Sequence, residues 1–259
     1  MAEDLYEHPD VYDLACCSFR NLQEEPDGLH RLFQKFALIP VRSVLELGCG
    51  PAPNAGEFVI REYNYIGLDI CSSMLEYCRR KHAALGSAAQ FILADMRHFS
   101  LPLPVQAVVI IAGSFLAGDA DDALAILNSV ARALVPGGLV VFDSCIQCPR
   151  TDPMESHCYE LHVGARRLSV MTGPRQFDVA RQTVDYELFV AMNERGQRTQ
   201  YRSIDHFQLF YPQEFRLLVE RSGQYEFLDW WDGWDLTHRL GGVGPMKRPI
   251  LALRRLNSH

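Results

Sequence analysis

Hydrophobic positions follow one rule in the first half of this chain and another in the second. Between Val41 and Asp143, short apolar runs alternate with stretches whose apolar residues recur at helical spacing. That alternation is the signature of successive βαβ units and a parallel sheet. Ser43-Val-Leu-Glu-Leu47 reads as a buried strand ended by Gly48-Cys-Gly50, and a helix is expected from about Asn54 to Arg61. Asn64 to Asp69 reads as the second strand. Ser73-Met-Leu-Glu76 fits a capping box, so a helix should open there and run to about Ala84. Gln90 to Ala94 and Val105 to Ile111 give the third and fourth strands, the latter almost wholly apolar, as a strand covered on both faces must be. Asp121 and Asp122 suit the first turn of a helix, and Leu124, Leu127, Val130 and Leu134 continue it. Pro136-Gly-Gly138 is expected to stop that helix before a fifth strand, Leu139 to Phe142.

After Pro149 the period changes. Val184, Tyr186, Leu188 and Val190 alternate with polar residues, Asn193-Glu-Arg-Gly196 supplies a turn, and Thr199 to Phe210 returns. This predicts an antiparallel insertion of two or more strands over roughly 158–210. Pro212, the apolar Phe215, Leu218 and Val219, and Gly223 mark one more helix. Tyr225 to Trp231 and Ile250 to Leu256 read as two final strands. The fold class is therefore α/β: a doubly wound, mostly parallel seven-stranded sheet with an antiparallel β insertion toward the carboxyl-terminal part. Within a single domain spanning 1–259 we expect a helical lid over 1–40 and a ligand-binding core over 41–145. The insertion would cover 146–210, and the last helix and strands 211–259.

Composition narrows the function. A net charge of -7, from 32 carboxylates against 25 Lys and Arg, disfavours nucleic acid as the main partner. The first residues, MAEDLYEHPDVYDL, carry acid where a secretory signal would carry base, and no apolar run is long enough to cross a bilayer. We therefore expect a cytoplasmic protein without a membrane partner. Eight cysteines are scattered, with Cys49, Cys71 and Cys78 inside core elements as small reduced hydrophobes. Cys145-Ile-Gln-Cys148 with His157 and Cys158 is one CxxC without a second pair, so no metal is expected.

Chemistry-bearing residues gather at the carboxyl ends of successive strands, where open α/β sheets bind ligands. Glu46-Leu-Gly-Cys-Gly50-Pro-Ala lets the backbone turn sharply and approach a ligand closely. Asp69, 21 positions after Gly48, can accept two hydrogen bonds from ribose hydroxyls. Asp95-Met96 suits the exocyclic amine of an adenine. Pro53 stands where a dinucleotide fold wants a third glycine, and proline removes a backbone donor that a pyrophosphate would need. The ligand these residues describe has ribose and adenine but no phosphate.

ELGCGPAPNA, GLDICSSML, ADM and LVPGGLVVFD together resemble the motifs of the class I methyltransferases over about residues 41–144, with FYPQEFRLLVERSG and ILALRRL similar to the family's last helix and strand. The resemblance implies S-adenosylmethionine as cofactor and S-adenosylhomocysteine as product. It implies that Glu46, Gly48, Cys49 and Gly50 line the methionine and ribose, that Asp69 takes the ribose hydroxyls, and that Ile70 and Met74 pack on adenine. Asp95 and Met96 would read the adenine edge, and Gly113 and Ser114 would sit beside the sulfonium. Tyr12-Asp13 resembles a segment that folds over the cofactor in small-molecule N-methyltransferases, with the tyrosine near the transferred methyl. Arg20 would pair with the cofactor carboxylate.

The insertion resembles those of enzymes acting on amines of sugars, amino acids or other small metabolites, and in such relatives it also builds a homodimer interface. The family often carries a polar stretch after the fourth strand that reads like Asn-Ser-Phe with a histidine following. Here it is Gly113-Ser-Phe-Leu-Ala117, so the base expected there is missing. That departure favours nitrogen as the acceptor, since an amine needs only to arrive deprotonated. A hydroxyl acceptor would need a base, for which His206 or Asp205 is the candidate. Methyl transfer to oxygen or carbon, a non-catalytic S-adenosylmethionine-binding protein and a NAD-dependent oxidoreductase remain the alternatives.

Overall fold

The computed structural model describes residues 2–17, 20–146, 156–239 and 248–257. The chain opens with β1 (Glu3–Asp4), a 3-10 turn (Leu5–Glu7), α1 (Pro9–Cys17) and α2 (Glu24–Phe36). The parallel half follows as β2 (Ser43–Leu47), α3 (Ala55–Ile60), β3 (Asn64–Asp69), α4 (Ser72–Lys81), β4 (Ala89–Leu93), β5 (Val105–Ile110), α5 (Ala120–Ala133) and β6 (Leu134–Asp143). Four long strands come next: β7 (His157–Val163), β8 (Arg166–Asp178), β9 (Thr183–Glu194) and β10 (Gln197–Gln208). The chain closes with α6 (Pro212–Ser222), β11 (Tyr225–Asp232) and β12 (Pro249–Arg255). Among the described residues, no helix is long and apolar enough to cross a membrane.

The seven-stranded sheet runs β11-β12-β6-β5-β2-β3-β4, with β2 to β6 parallel and β12 antiparallel to both its neighbours. Its period-two side chains serve two cores. Val108, Ile110, Val140 and Phe142 face α5 and α6, while Ala107, Val109, Val141 and Val44 face α2 and α3. Burial on both faces is why these strands read as largely apolar runs. The strand order reverses between β2 and β5, and a crevice opens there at the carboxyl ends.

The second sheet, β1-β10-β9-β8-β7, is antiparallel apart from β1 alongside β10. One face is apolar: Leu168, Val170, Val190, Met192 and Tyr201 pack on Leu5, Val11 and Ala15 of the amino-terminal segment. The lid and the insertion thus share a core of their own.

Three local expectations are corrected. Pro136-Gly-Gly138 does not stop α5. The helix already ends at Ala133, and the three residues lie inside β6. A Cβ at Gly138 would stand 2.6 Å from the Gln106 carbonyl, so glycine here serves close strand approach rather than a helix stop. Ser73 does not cap α4: Cys71 precedes the first turn, and the Ser73 hydroxyl donates to the Glu7 carboxylate. That helix ends at Lys81 rather than Ala84.

Candidate active site

Left-handed backbone concentrates at the strand ends. Gly48 (φ 64°), Gly50 (φ 50°) and Ala52 (φ 49°) alternate through the loop after β2. Ala112 (φ 54°) and Gly113 (φ 78°) follow β5, and Ser144 (φ 56°) follows β6. A residue with a Cβ in this region costs roughly 1–2 kcal/mol, so Ala52, Ala112 and Ser144 store strain around the crevice. The loop after β5 is held by Asp143, whose Oδ2 accepts from Ala112 N at 2.9 Å and whose carbonyl accepts from Gly113 N at 3.0 Å.

Asp69 joins two of these loops. Its Oδ2 accepts from Gly50 N at 2.8 Å and its Oδ1 from Cys71 N at 2.9 Å, while burial pushes its carboxyl above the usual range. Each oxygen keeps a lone pair for a hydroxyl donor. Cys49 N donates to the Leu68 carbonyl at 3.0 Å, Ala52 N donates to Cys49 O at 2.8 Å, Ala55 N donates to Ala52 O at 3.1 Å, and Pro53 has no N–H. Glu46 is 1% exposed and accepts from Tyr65 OH at 2.6 Å; burial raises it to about 7, opposed by the charge of Arg20.

Gly48, Met96 and Ser114 converge from three strand ends. A Cβ at Gly48 would lie 2.9 Å from Ser114 Cβ and 3.4 Å from Met96 Cε. Asp95 is gripped by Arg97, with Nη2 at 2.6 Å and the backbone N at 2.8 Å, and those contacts hold its carboxyl below the usual range. Ile70, 69% exposed, stands bare beside Asp69. Met74, 1% exposed, belongs to the packed interior. Cys49 contributes only backbone to the crevice, since its thiol points at Gly67.

The lid closes over this loop. A Cβ at Gly50 would be 3.8 Å from Tyr12 Cε1, and the Tyr12 ring lies 5.6 Å from that of Tyr6. Asp13 pins α1 to α4, accepting from Tyr77 OH at 2.7 Å and from Lys81 Nζ at 2.6 Å. Arg20 does not stand free for a ligand carboxylate. Its Nη2 sits 2.5 Å from Oε2 of the buried Glu25, and its side chain is 10% exposed. His206 is also outside the crevice. Its side chain is 61% exposed and bonds Asp185 at 2.7 Å, on the face of the insertion sheet turned away from the lid. The adjacent Asp205 faces the lid and accepts from Tyr6 OH at 2.9 Å. In the CxxC, Cys148 lies outside the described residues. Among the described residues no cluster of three or more His, Cys, Asp or Glu is placed to hold a metal.

Residues 44–138 match a family model described as a methyltransferase domain. Over this span the chain is similar to that family. The whole fold is that of the class I methyltransferases. An S-adenosylmethionine-dependent methyltransferase from Clostridium acetobutylicum superposes with a TM-score of 0.76 at 13% identity, covering 98% of this chain and 99% of that one. A sugar N-methyltransferase from Streptoalloteichus superposes with a TM-score of 0.76 at 17% identity, covering 96% and 92%. A fatty-acid O-methyltransferase of Mycolicibacterium smegmatis is 34% identical over 106 residues, 39% of this chain and 36% of that protein. The match thus spans about a third of that curated relative's length.

Around the crevice, one network escaped the sequence. Glu25 of α2 also accepts from Asn54 Nδ2 at 3.1 Å and Arg248 Nη2 at 2.9 Å, and Arg248 reaches Asp143 at 2.7 and 2.8 Å. Lid, glycine loop, β6 and β12 are tied through one buried carboxylate. Glu25 sits in Glu24-Glu-Pro-Asp27, which reads as an exposed first turn; only Asp143, at a strand end, carried a signal.

Proposed function

We propose that this chain binds S-adenosylmethionine and transfers its methyl group to a small-molecule acceptor, with nitrogen ahead of oxygen and carbon. The observation that carries the reading is the loop after β2. Gly50 N bonds Asp69, Cys49 N bonds the Leu68 carbonyl, Ala52 N and Ala55 N bond within the loop, and Pro51 and Pro53 have no N–H. This leaves a carboxylate for ribose hydroxyls and few donors for a pyrophosphate. That arrangement speaks against NAD. Glu46, Gly48 and Gly50 would line the methionine and ribose, Ile70 would cover the adenine, and Asp95, oriented by Arg97, would face its amine with Met96. Gly113 and Ser114 would sit beside the sulfonium under Tyr12.

S-adenosylmethionine supplies an electrophilic methyl carbon, so the protein's part is to align the acceptor and keep water out. The lid tyrosines and the strained strand ends suit that task. The full-length likeness to a sugar N-methyltransferase, insertion included, supports nitrogen. The shorter match to a fatty-acid O-methyltransferase keeps oxygen as the second reading. Met171 and Ile204 lie exposed on the outer face of the insertion sheet, beside charged pairs such as Arg202–Glu187, and a homodimer joined there would cover them. Free, buried thiols at Cys49 and Cys78 fit a reducing cytoplasm.

The test is calorimetric titration with S-adenosylhomocysteine and, separately, NAD, repeated on Asp69→Ala. Binding of the first alone, weakened about 100-fold in the variant, is the expected result, since each lost charged hydrogen bond is worth roughly 1.5–3 kcal/mol. No binding of S-adenosylhomocysteine by folded protein would sink the reading.

A further inference from the structure

Acidic groups in this protein are usually matched. Glu25, Asp95 and Asp143 are each held by arginine, as is Glu187 on the outer face of the insertion. Asp205 is an exception inside the molecule. It is half-buried on the lid-facing side of β10, and among the described residues no Lys or Arg lies within ion-pair reach of it. Its hydrogen bond comes from a neutral phenol, Tyr6.

Its surroundings suit a cation that the protein does not supply. On the lid side stand Tyr6 from the 3-10 turn, Tyr12 and Cys16 from α1, and a second acid, Asp4, from β1. On the sheet side Tyr186 is its cross-strand neighbour. The tyrosine rings are 5.6 Å apart and tilted by 31°. A carboxylate beside aromatic faces attracts an ammonium through both its charge and the ring quadrupoles. The Tyr12 ring also covers Gly50, so this seat adjoins the strand-end crevice.

Resting on the methyl-transfer reading above, we propose that Asp205, with the Tyr6 and Tyr12 rings, seats a protonated amine acceptor and takes the proton that nitrogen must lose. The proton passes from the ammonium to an Asp205 oxygen, leaving a neutral amine and a carboxylic acid. The freed lone pair then forms the N–C bond as the C–S bond breaks, its electron pair going to sulfur. The product is an N-methylammonium beside a neutral thioether. Burial, followed by the charge of Asp4, raises the Asp205 carboxyl above its usual range and so improves it as a proton acceptor, while Tyr6 donates to its ionised form.

A purely structural latch between lid and sheet would use the same Tyr6–Asp205 bond, so the test needs a readout that a latch would not move. The full chain, with and without S-adenosylhomocysteine, is titrated calorimetrically with cyclohexylammonium and with cyclohexanol. The expected result is preference for the ammonium, lost as pH falls through the Asp205 titration. Asp205→Asn should weaken ammonium binding at least about tenfold, with cyclohexanol and S-adenosylhomocysteine affinities unchanged. Tyr6→Phe, which keeps the ring and removes the latch, should retain the ammonium preference. Equal binding of the two probes by wild type, or a preference surviving in folded Asp205→Asn, overturns the proposal. If Asp205→Asn does not fold, loss of the preference in Tyr6→Phe overturns it instead. Failure of S-adenosylhomocysteine to bind would count against the methyl-transfer reading alone, because the ammonium titration is read without it.

Discussion

The parallel half and the insertion are both built from strands, yet they use their faces differently. In β5 and β6 both faces are packed, and chemistry is confined to the carboxyl ends, where the chain leaves the sheet. In β10 one face is covered by the lid and the other meets solvent, so chemistry can sit mid-strand, and a shift of one residue changes its side. Asp205 and His206 are neighbours in sequence and lie on opposite sides of the sheet. Strand ends announce a site by position; a half-covered strand announces one only through its register.

The largest expected effect belongs to the doubly covered core. Phe142, in β6, meets Phe115 and Phe215 edge-on at ring separations of 5.5 and 5.2 Å. Phe142→Ala should cost about 3–5 kcal/mol in urea unfolding. A loss below 1 kcal/mol would mean that the sheet is not packed on that face. No truncation on the outer face of β10 should approach this value.

A second prediction concerns pH. The buried Glu46 is raised to about 7, with burial the leading cause. A carboxyl raised on folding contributes stability that is fully present below its unfolded value and lost as pH rises through its folded value. Ligand-free protein should therefore lose on the order of 3 kcal/mol between about pH 4.5 and 7 from this group. Glu46→Gln keeps the Tyr65 contact and should flatten that part of the pH–stability curve. An unchanged slope would show that Glu46 stays ionised in the fold.

How much of this was legible follows from the same contrast. Strands β2, β3 and β5 were readable because burial of most positions on both faces leaves short, largely apolar runs. Asp69 and Asp95 were readable because they end such runs. Ile70 stands exposed beside Asp69, whereas Met74, on the same stretch, lies in the interior, because the period of its helix does not say which apolar face a ligand covers. The Glu25–Arg248 pair joins positions 223 residues apart, and local pattern carries no signal for it. Pro136-Gly-Gly138 misled because a glycine needed for close strand approach looks, in sequence, like one that ends a helix.

The outer face of the insertion supplies a third, smaller effect. If Met171 and Ile204 help join two copies, a charge at either position should shift dimer to monomer in light scattering. Met171→Glu and Ile204→Glu should each weaken association by roughly 1–3 kcal/mol, the scale for a polar group covered without a full set of partners. A wild-type chain that is monomeric at all concentrations would leave that face as plain surface and remove dimerisation from the contrast.

The smallest effect should come from His206, and it is the sharpest probe of register. His206→Ala removes an exposed pair with Asp185, which in such settings is worth about 0.2–1 kcal/mol. Acceptor binding and its pH profile should not move, since the imidazole cannot reach the lid side without turning the strand over. Paired with Asp205→Asn, the experiment asks which of two consecutive residues faces the acceptor. A large effect at Asp205 with silence at His206 supports the register in which Asp205 opposes Tyr186 and His206 opposes Asp185. The reverse pattern would place β10 one residue out of register, turning the whole inner face of the insertion, Tyr201 and Ser203 included, toward solvent.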